Sequence, residues 1–172
     1  MSNEQRVLFT GRRFSVVEET VRRPDGSEAT CQYVRHPGSV AVLPIVDDEQ
    51  IVLIQNRRLT VGETLVEVPA GTREPGEPPI ETARRELAEE TGYRAERLEE
   101  LVSYYSSPGV LSEKIHIFVA TGLTAGDHAR EPNEEIENLV VTWTQALTMI
   151  EQGEICDGKT IVALLAYARE RR

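Results

Sequence analysis

Residues 71–93 read GTREPGEPPIETARRELAEETGY, and both the fold and the chemistry turn on them. Pro79 suits a first helical turn and Gly92 a C-terminal stop, which predicts a helix from about Pro79 to Thr91. Ile80, Ala83 and Leu87 recur at helical spacing, so that side is expected to face a core. Glu86, Glu89 and Glu90 stand three and four residues apart and span about 100° of the helix, beside the apolar side. Like charges at this spacing repel, and a divalent cation removes the repulsion. Carboxylate oxygens select hard ions, and Mg²⁺ in particular is held by a few carboxylates together with substrate phosphates. The competing reading is a solvated acidic face screened by Arg84 and Arg85.

Around this helix the chain reads mostly as strands. Residues Phe14 to Val21 and Glu28 to Val34 form an expected hairpin about Pro24-Asp25-Gly26. Ser39 to Val46 reads as a buried strand, Asp47-Asp48 as a turn, and Gln50 to Asn56 as its return. Leu65 to Val68 is a short strand that ends at Pro69-Ala70-Gly71. Leu98 to Ser106, Ile115 to Ala120 and Leu139 to Trp143 complete the strands, with a polar loop over residues 122–135. Thr144 is expected to cap a short helix running to Gln152, and Asp157 to cap a last one over residues 159–169. Trp143 is expected in the core. Strands outnumber helices and do not alternate with them. A mixed sheet flanked by a few helices therefore fits better than a doubly wound one.

The 172 residues suit one domain with at most a small appendage, and 40% hydrophobic content is enough for a core. No apolar run approaches the ~18 residues of a membrane span, and no secretory signal is visible, so no membrane partner is expected. Acidic residues outnumber basic ones 29 to 19, and the resulting field disfavours a nucleic-acid partner. A small anionic substrate remains compatible if a metal supplies positive charge. Cys31 and Cys156 are far apart and form no CxxC pair, which fits a reducing cytoplasm. His36, His116 and His128 show no HExxH spacing.

The spacing of the central stretch is specific. Gly71, five residues, Glu77, seven residues, Arg85-Glu86-Leu87, one residue, Glu89-Glu90, one residue and Gly92-Tyr93 fill every fixed position of G-x5-E-x7-R-E-U-x-E-E-x-G-U. Tyr93 stands where an aliphatic residue is more usual. The chain thus resembles the Nudix hydrolases. The resemblance implies an α/β/α sandwich around a mixed sheet, and hydrolysis of a nucleoside diphosphate linked to another moiety. It implies metal ligation by Glu86 and Glu90, with Glu89 as a further ligand or base, and often by the carbonyl of Ala70. Mg²⁺ is the implied ion, with Mn²⁺ as a substitute. Arg85 would orient the glutamates, Glu77 would brace the loop, and Gly71 would permit a tight turn.

Outside the box, residues 67–71 read EVPAG and residues 103–109 read SYYSSPG. Pro108, sixteen residues past Gly92, resembles the ADP-ribose pyrophosphatase subfamily, as do residues 39–46, 57–71 and 157–165. That resemblance implies substrate contacts from Arg58, Glu67, Pro108 and Tyr105, with Tyr104 or Tyr105 stacking on a base or else serving the core or a dimer contact. The subfamily often has Arg-Gln where this chain has Gln55-Asn56; Arg57 would point to the other strand face. A late-loop glutamate serves as base in the subfamily, and aligning residues 131–136 favours Glu134, with Glu135 second. Residues 1–36 would form an N-terminal β extension that builds a homodimer, and residues 37–172 the hydrolase domain. Expected products are AMP and ribose 5-phosphate. Alternatives are GDP-mannose, NADH or a dinucleoside polyphosphate as substrate, or a non-catalytic nucleotide-binding module.

Overall fold

The computed structural model describes residues 4–127 and 135–170. Three sheets organise them. β1 (Glu4–Thr10), β2 (Ser15–Arg22) and β3 (Glu28–Arg35) form an antiparallel N-terminal sheet in that order. β4 (Ser39–Pro44) lies in a four-stranded mixed sheet with β7 (Ala70–Thr72), β8 (Tyr93–Tyr105) and β9 (Lys114–Ala125), ordered β7-β4-β9-β8. Only β4 and β9 run parallel in it. β5 (Gln50–Arg58), β6 (Glu63–Glu67) and β10 (Ile136–Thr142) form a third sheet, ordered β10-β5-β6. A bridge between Ile45 and Ile51 links it to β4.

The helices are α1 (Pro79–Thr91), α2 (Trp143–Glu151) and α3 (Gly158–Glu170). All six residues of β4 are buried, because both of its faces are covered. Val40 and Val42 pack with Ala83 and Leu87 of α1, and with Leu98, Phe118 and Ala120. Ala41 and Leu43, on the alternate face, pack with Ala163 and Leu164 of α3 and Ala146 of α2. The result is an α/β/α sandwich around a mixed sheet.

The central helix has the bounds expected from Pro79 and Gly92, and Gly92 takes a left-handed φ of 79° as its C-cap. Ile80, however, is not a core residue: it is exposed, and Thr82 is buried on the first turn instead. The second helix begins one residue before the expected cap. Thr142 accepts from the Gln145 N–H and Gln145 reaches back to the Thr142 N–H, so a capping box sets the start. Trp143 therefore opens α2, half-buried, with its ring 5.5 Å from that of Tyr167 in an edge-on pair. Asp157 caps α3 as expected, accepting from the Thr160 N–H at 3.0 Å. β9 extends to Ala125, so the first residues of the expected 122–135 loop are strand. β1 and the three-residue β7 are additional strands, too short or too polar to show a period.

Candidate functional site

The site is built where the box helix meets the turn that precedes it. β7 and the N-terminal half of the box run beside α1. Glu86 and Glu90 are nearly buried, and Glu89 is 40% exposed at the side chain. Glu90 Oε2 accepts the Ala70 N–H at 2.9 Å, which ties the helix to the Val68-Pro69-Ala70 turn. Glu86 lies so close to Gly71 that a Cβ there would stand 1.9 Å from its Cδ. Gly71 does not have a positive φ, so the expected reason for this glycine is corrected: close approach of Glu86 requires it, not a tight turn.

Arg85 organises the carboxylates. Its Nη1 donates to Glu86 Oε1 at 2.7 Å and to Glu89 Oε2 at 3.0 Å. Its Nε and Nη2 each lie 3.3 Å from the Glu77 carboxylate. Burial opposes the Arg85 charge, but Glu77 and Glu86 outweigh it and hold its pKa above the ordinary value. The same hydrogen bonds hold the Glu77 carboxyl down at about 2. Glu77 also accepts the Glu74 N–H at 3.0 Å and, through its carbonyl, the Arg73 Nη2 at 2.7 Å. It braces the loop, as the box pattern implies.

Two adjoining cavities of about 470 and 450 Å³ open here, and Arg13, Arg58, Ala70, Gly71 and Thr72 line both. The first carries Glu86, Glu89, Glu90 and Arg85, and the second Tyr104, Glu113 and Lys159. Arg58 thus stands between an acidic wall and a mixed one. Its Nε and Nη2 donate to the Glu67 carboxylate at 2.7 and 2.6 Å. Burial would neutralise Glu67, but Arg58 and Lys159 keep its pKa below the usual value. Burial, with Asp157 and Glu113 nearby, pushes the Tyr104 hydroxyl up to about 12, so it stays a donor at neutral pH.

The expected contacts divide accordingly. Arg58, Ala70, Arg85, Glu86, Glu89 and Glu90 converge on the cleft. Glu67 has no accessible surface and lies behind Arg58, so in this arrangement it holds Arg58 rather than reaching the cavity. Tyr104 lines the cleft, whereas Tyr105 is 57% exposed and outside both cavities. Pro108 is exposed, in a turn whose Val110 carbonyl accepts the Val34 N–H of β3. Glu134 lies outside the described residues; Glu135 is exposed beside the end of β5, where its carbonyl accepts the Arg57 N–H. Gln55 lines a separate groove with Leu139 and Met149, so the departure at that position lies away from the cleft. Arg57 bonds the Gly62 carbonyl across its hairpin and faces solvent. Arg12, Arg13 and Lys159 are cleft residues that the sequence did not single out. Arg12 and Arg13 carry no local pattern, while Lys159 sits in the DGKT stretch already noted for its resemblance.

Among the described residues no three His, Cys, Asp or Glu side chains converge tightly enough to hold an ion as they stand. Arg85 binds Glu86 and Glu89, and the Ala70 N–H binds Glu90. The donor set itself, carboxylate oxygens in a cleft with the Gly71 cradle behind them, fits a hard divalent cation.

The NUDIX domain model matches residues 35–163. The chain is 39% identical over 159 residues to the ADP-ribose pyrophosphatase of Bacillus subtilis (strain 168), covering 91% of this chain and 86% of that protein. It is equally similar, over the same shares, to the methanol dehydrogenase activator of Bacillus methanolicus. A crystal structure of an ADP compounds hydrolase superposes with a TM-score of 0.81 at 23% identity, covering 96% of this chain and 90% of that one, which is a likeness of fold. With the complete box, the α/β/α sandwich and these matches, the chain belongs to the NUDIX family.

Proposed function

We propose that this protein hydrolyses the diphosphate of ADP-ribose to AMP and ribose 5-phosphate, with Mg²⁺ as its cofactor. The observation that carries the reading is the cleft: three box glutamates on one wall, Arg58 between, and Tyr104 and Lys159 beyond. A divalent cation suits Glu86, Glu90 and Glu89, with Ala70 beside them, and Mn²⁺ is an alternative ion. When bound, it neutralises phosphate charge and makes water more acidic. Arg58 is suited to a phosphate, since a guanidinium matches phosphate oxygens in pairs. Arg12 and Arg13 add positive charge at the rim. Water attacks one phosphorus, the bridging P–O bond breaks, and the leaving phosphate carries the electron pair away. Glu89, the most exposed of Glu86, Glu89 and Glu90, or Glu134 accepts the proton of the attacking water, with Glu135 as a further candidate. Positioning and electrostatics supply most of the rate. The name of the Bacillus subtilis relative supports ADP-ribose as the substrate, as does the Ser107-Pro108-Gly109 turn.

We read residues 1–36 as an extension that joins two copies of the chain. The N-terminal sheet leaves Val7, Leu8, Phe9 and Phe14 exposed, and covering them is the reason to expect a homodimer. No helix of the described residues is long and apolar enough to cross a membrane. A cytoplasmic location suits Cys31 and Cys156, both exposed and free.

The test is product analysis. ADP-ribose with Mg²⁺, with and without chelator, is run beside GDP-mannose, NADH and a diadenosine polyphosphate. Chelator-sensitive release of AMP, fastest from ADP-ribose, supports the reading. Preference for another member of the panel overturns the substrate and keeps the chemistry. Tight nucleotide binding without turnover replaces the enzyme with a binding module.

A further inference from the structure

Glu67 has no accessible surface, and two cations share it. Arg58 Nε donates to Oε1 at 2.7 Å and Nη2 to Oε2 at 2.6 Å. The Lys159 ammonium contacts the same Oε2. Lys159 also lies 3.0 Å from Asp157 Oδ1. Asp157 Oδ2 in turn accepts the Thr160 N–H at 3.0 Å and the Thr160 hydroxyl at 2.6 Å. The Val68 N–H donates to Thr160 Oγ1 at 2.9 Å, in the turn that leads to Ala70. One path of polar contacts therefore joins Arg58, the start of α3 and the backbone beneath the box.

The arrangement has an electrostatic consequence. A carboxylate buried against one guanidinium makes a neutral pair, and such an arginine has little net charge left for a phosphate. The second cation on the same oxygen brings its own carboxylate, Asp157, so the four groups are neutral together and what Lys159 adds is a fixed position for Glu67. Arg58 spends one edge of its fork, Nε and Nη2, on Glu67, and Nη1 lies on the other edge. Its side chain keeps 37% exposure and lines both cavities, while that of Lys159 is 14% exposed.

We infer that Lys159 is a positioning residue for diphosphate binding: by sharing Glu67, with Asp157 as its own counter-charge, it fixes the Nε–Nη2 edge of Arg58 on that carboxylate and so sets where the guanidinium meets the substrate. This rests on the proposal that Arg58 meets a phosphate. Lys159 acts through Arg58 and does not touch the reacting atoms. Three consequences separate this from a merely structural lysine. Removing its charge raises KM more than it lowers kcat. The conservative arginine restores much of the loss. The effect vanishes once Arg58 is gone, because residues on one path are not additive.

The experiment compares wild type with K159M, K159R, R58A and R58A/K159M. ADP binding is measured by calorimetry in EDTA, and hydrolysis of ADP-ribose is measured with Mg²⁺. K159M is expected to weaken ADP binding and raise KM about tenfold or more, with kcat within about threefold. K159R is expected to recover most of this, and K159M to add nothing in the R58A background. Losses that multiply in the double variant overturn the inference, because Lys159 then acts by itself. An unchanged KM and ADP affinity in K159M, with only a lower Tm, also overturn it. If K159M fails to fold, K159Q takes its place in the same comparisons. A wild type that binds ADP without hydrolysing ADP-ribose defeats the proposed reaction, and the ADP affinities still decide the role of Lys159.

Discussion

The Glu86 carboxylate occupies the space in which a side chain on Gly71 would stand, with Cδ and Oε1 both 1.9 Å from an added Cβ. The clash is with the far end of a flexible side chain, so Gly71→Ala need not break β7. It must move Glu86. The expected cost in stability is below about 1.5 kcal/mol, the scale of a displaced rotamer. The expected loss in kcat is about 10²-fold, because a ~1 Å misplacement of a working group costs that much. Chemical denaturation beside steady-state kinetics checks both numbers. Unfolding of the variant, or full activity, contradicts the cradle.

Glu86→Gln and Glu90→Gln preserve shape and remove charge where the substrate's phosphates are proposed to be neutralised. Each is expected to lower kcat by at least about 10²-fold while the far-ultraviolet spectrum stays that of wild type. Glu90→Gln keeps an oxygen that can accept the Ala70 N–H, so the bond from turn to helix survives there. Near-normal rates in both variants refute the assignment of these glutamates to the chemistry.

Much of this site was legible because it is local. The box glutamates, Arg85 and Glu77 lie within one helix and its lead-in; helical spacing brings the glutamates together, and the resemblance to the box adds Arg85 and Glu77. β4 was legible because a strand buried on both faces has to be apolar throughout. What escaped depends on distance along the chain. Lys159 reaches Glu67 across ninety-two residues, and no pattern within the DGKT stretch points back to EVPAG. Arg12 and Arg13 come to the cleft only because the β1–β2 hairpin folds over it. Ile80 follows the helical period yet is exposed, because Thr82 takes the buried place on the first turn; Ala83 and Leu87, further along, are buried. The choice of Tyr105 over Tyr104 is a matter of strand phase, since neighbours on β8 face opposite ways.

Acid should remove the stability that the Glu77–Arg85 brace supplies. The folded pKa of Glu77 is depressed from 4.5 to about 2, chiefly by its hydrogen bonds with Arg85. A depressed carboxylate adds stability that is complete above its unfolded pKa and is lost as pH falls from about 4.5 through about 2. Wild type is therefore expected to lose stability across that window, and Glu77→Gln to lose less across it while starting lower at neutral pH. Thermal melts from pH 6 down to about pH 2 give the comparison. Parallel pH dependence in the two proteins contradicts the Glu77–Arg85 brace.

The proposed dimer makes the last prediction. Phe9 of β1 and Phe14 of the adjoining turn are 56% and 43% exposed, and their rings stand 6.0 Å apart. A three-stranded sheet needs a covered apolar face for stability. If a second copy supplies the cover, Phe9→Glu with Phe14→Glu places four charges on a symmetric interface, and the chain is expected to run as a monomer by sedimentation. Arg12 and Arg13, on the same hairpin, line the cleft, so its rim should loosen with the interface. KM is then expected to rise about tenfold with a smaller change in kcat, the pattern of lost substrate contacts rather than lost chemistry. A wild-type protein that sediments as a monomer at every concentration removes the dimer, and the exposed strand then requires another cover.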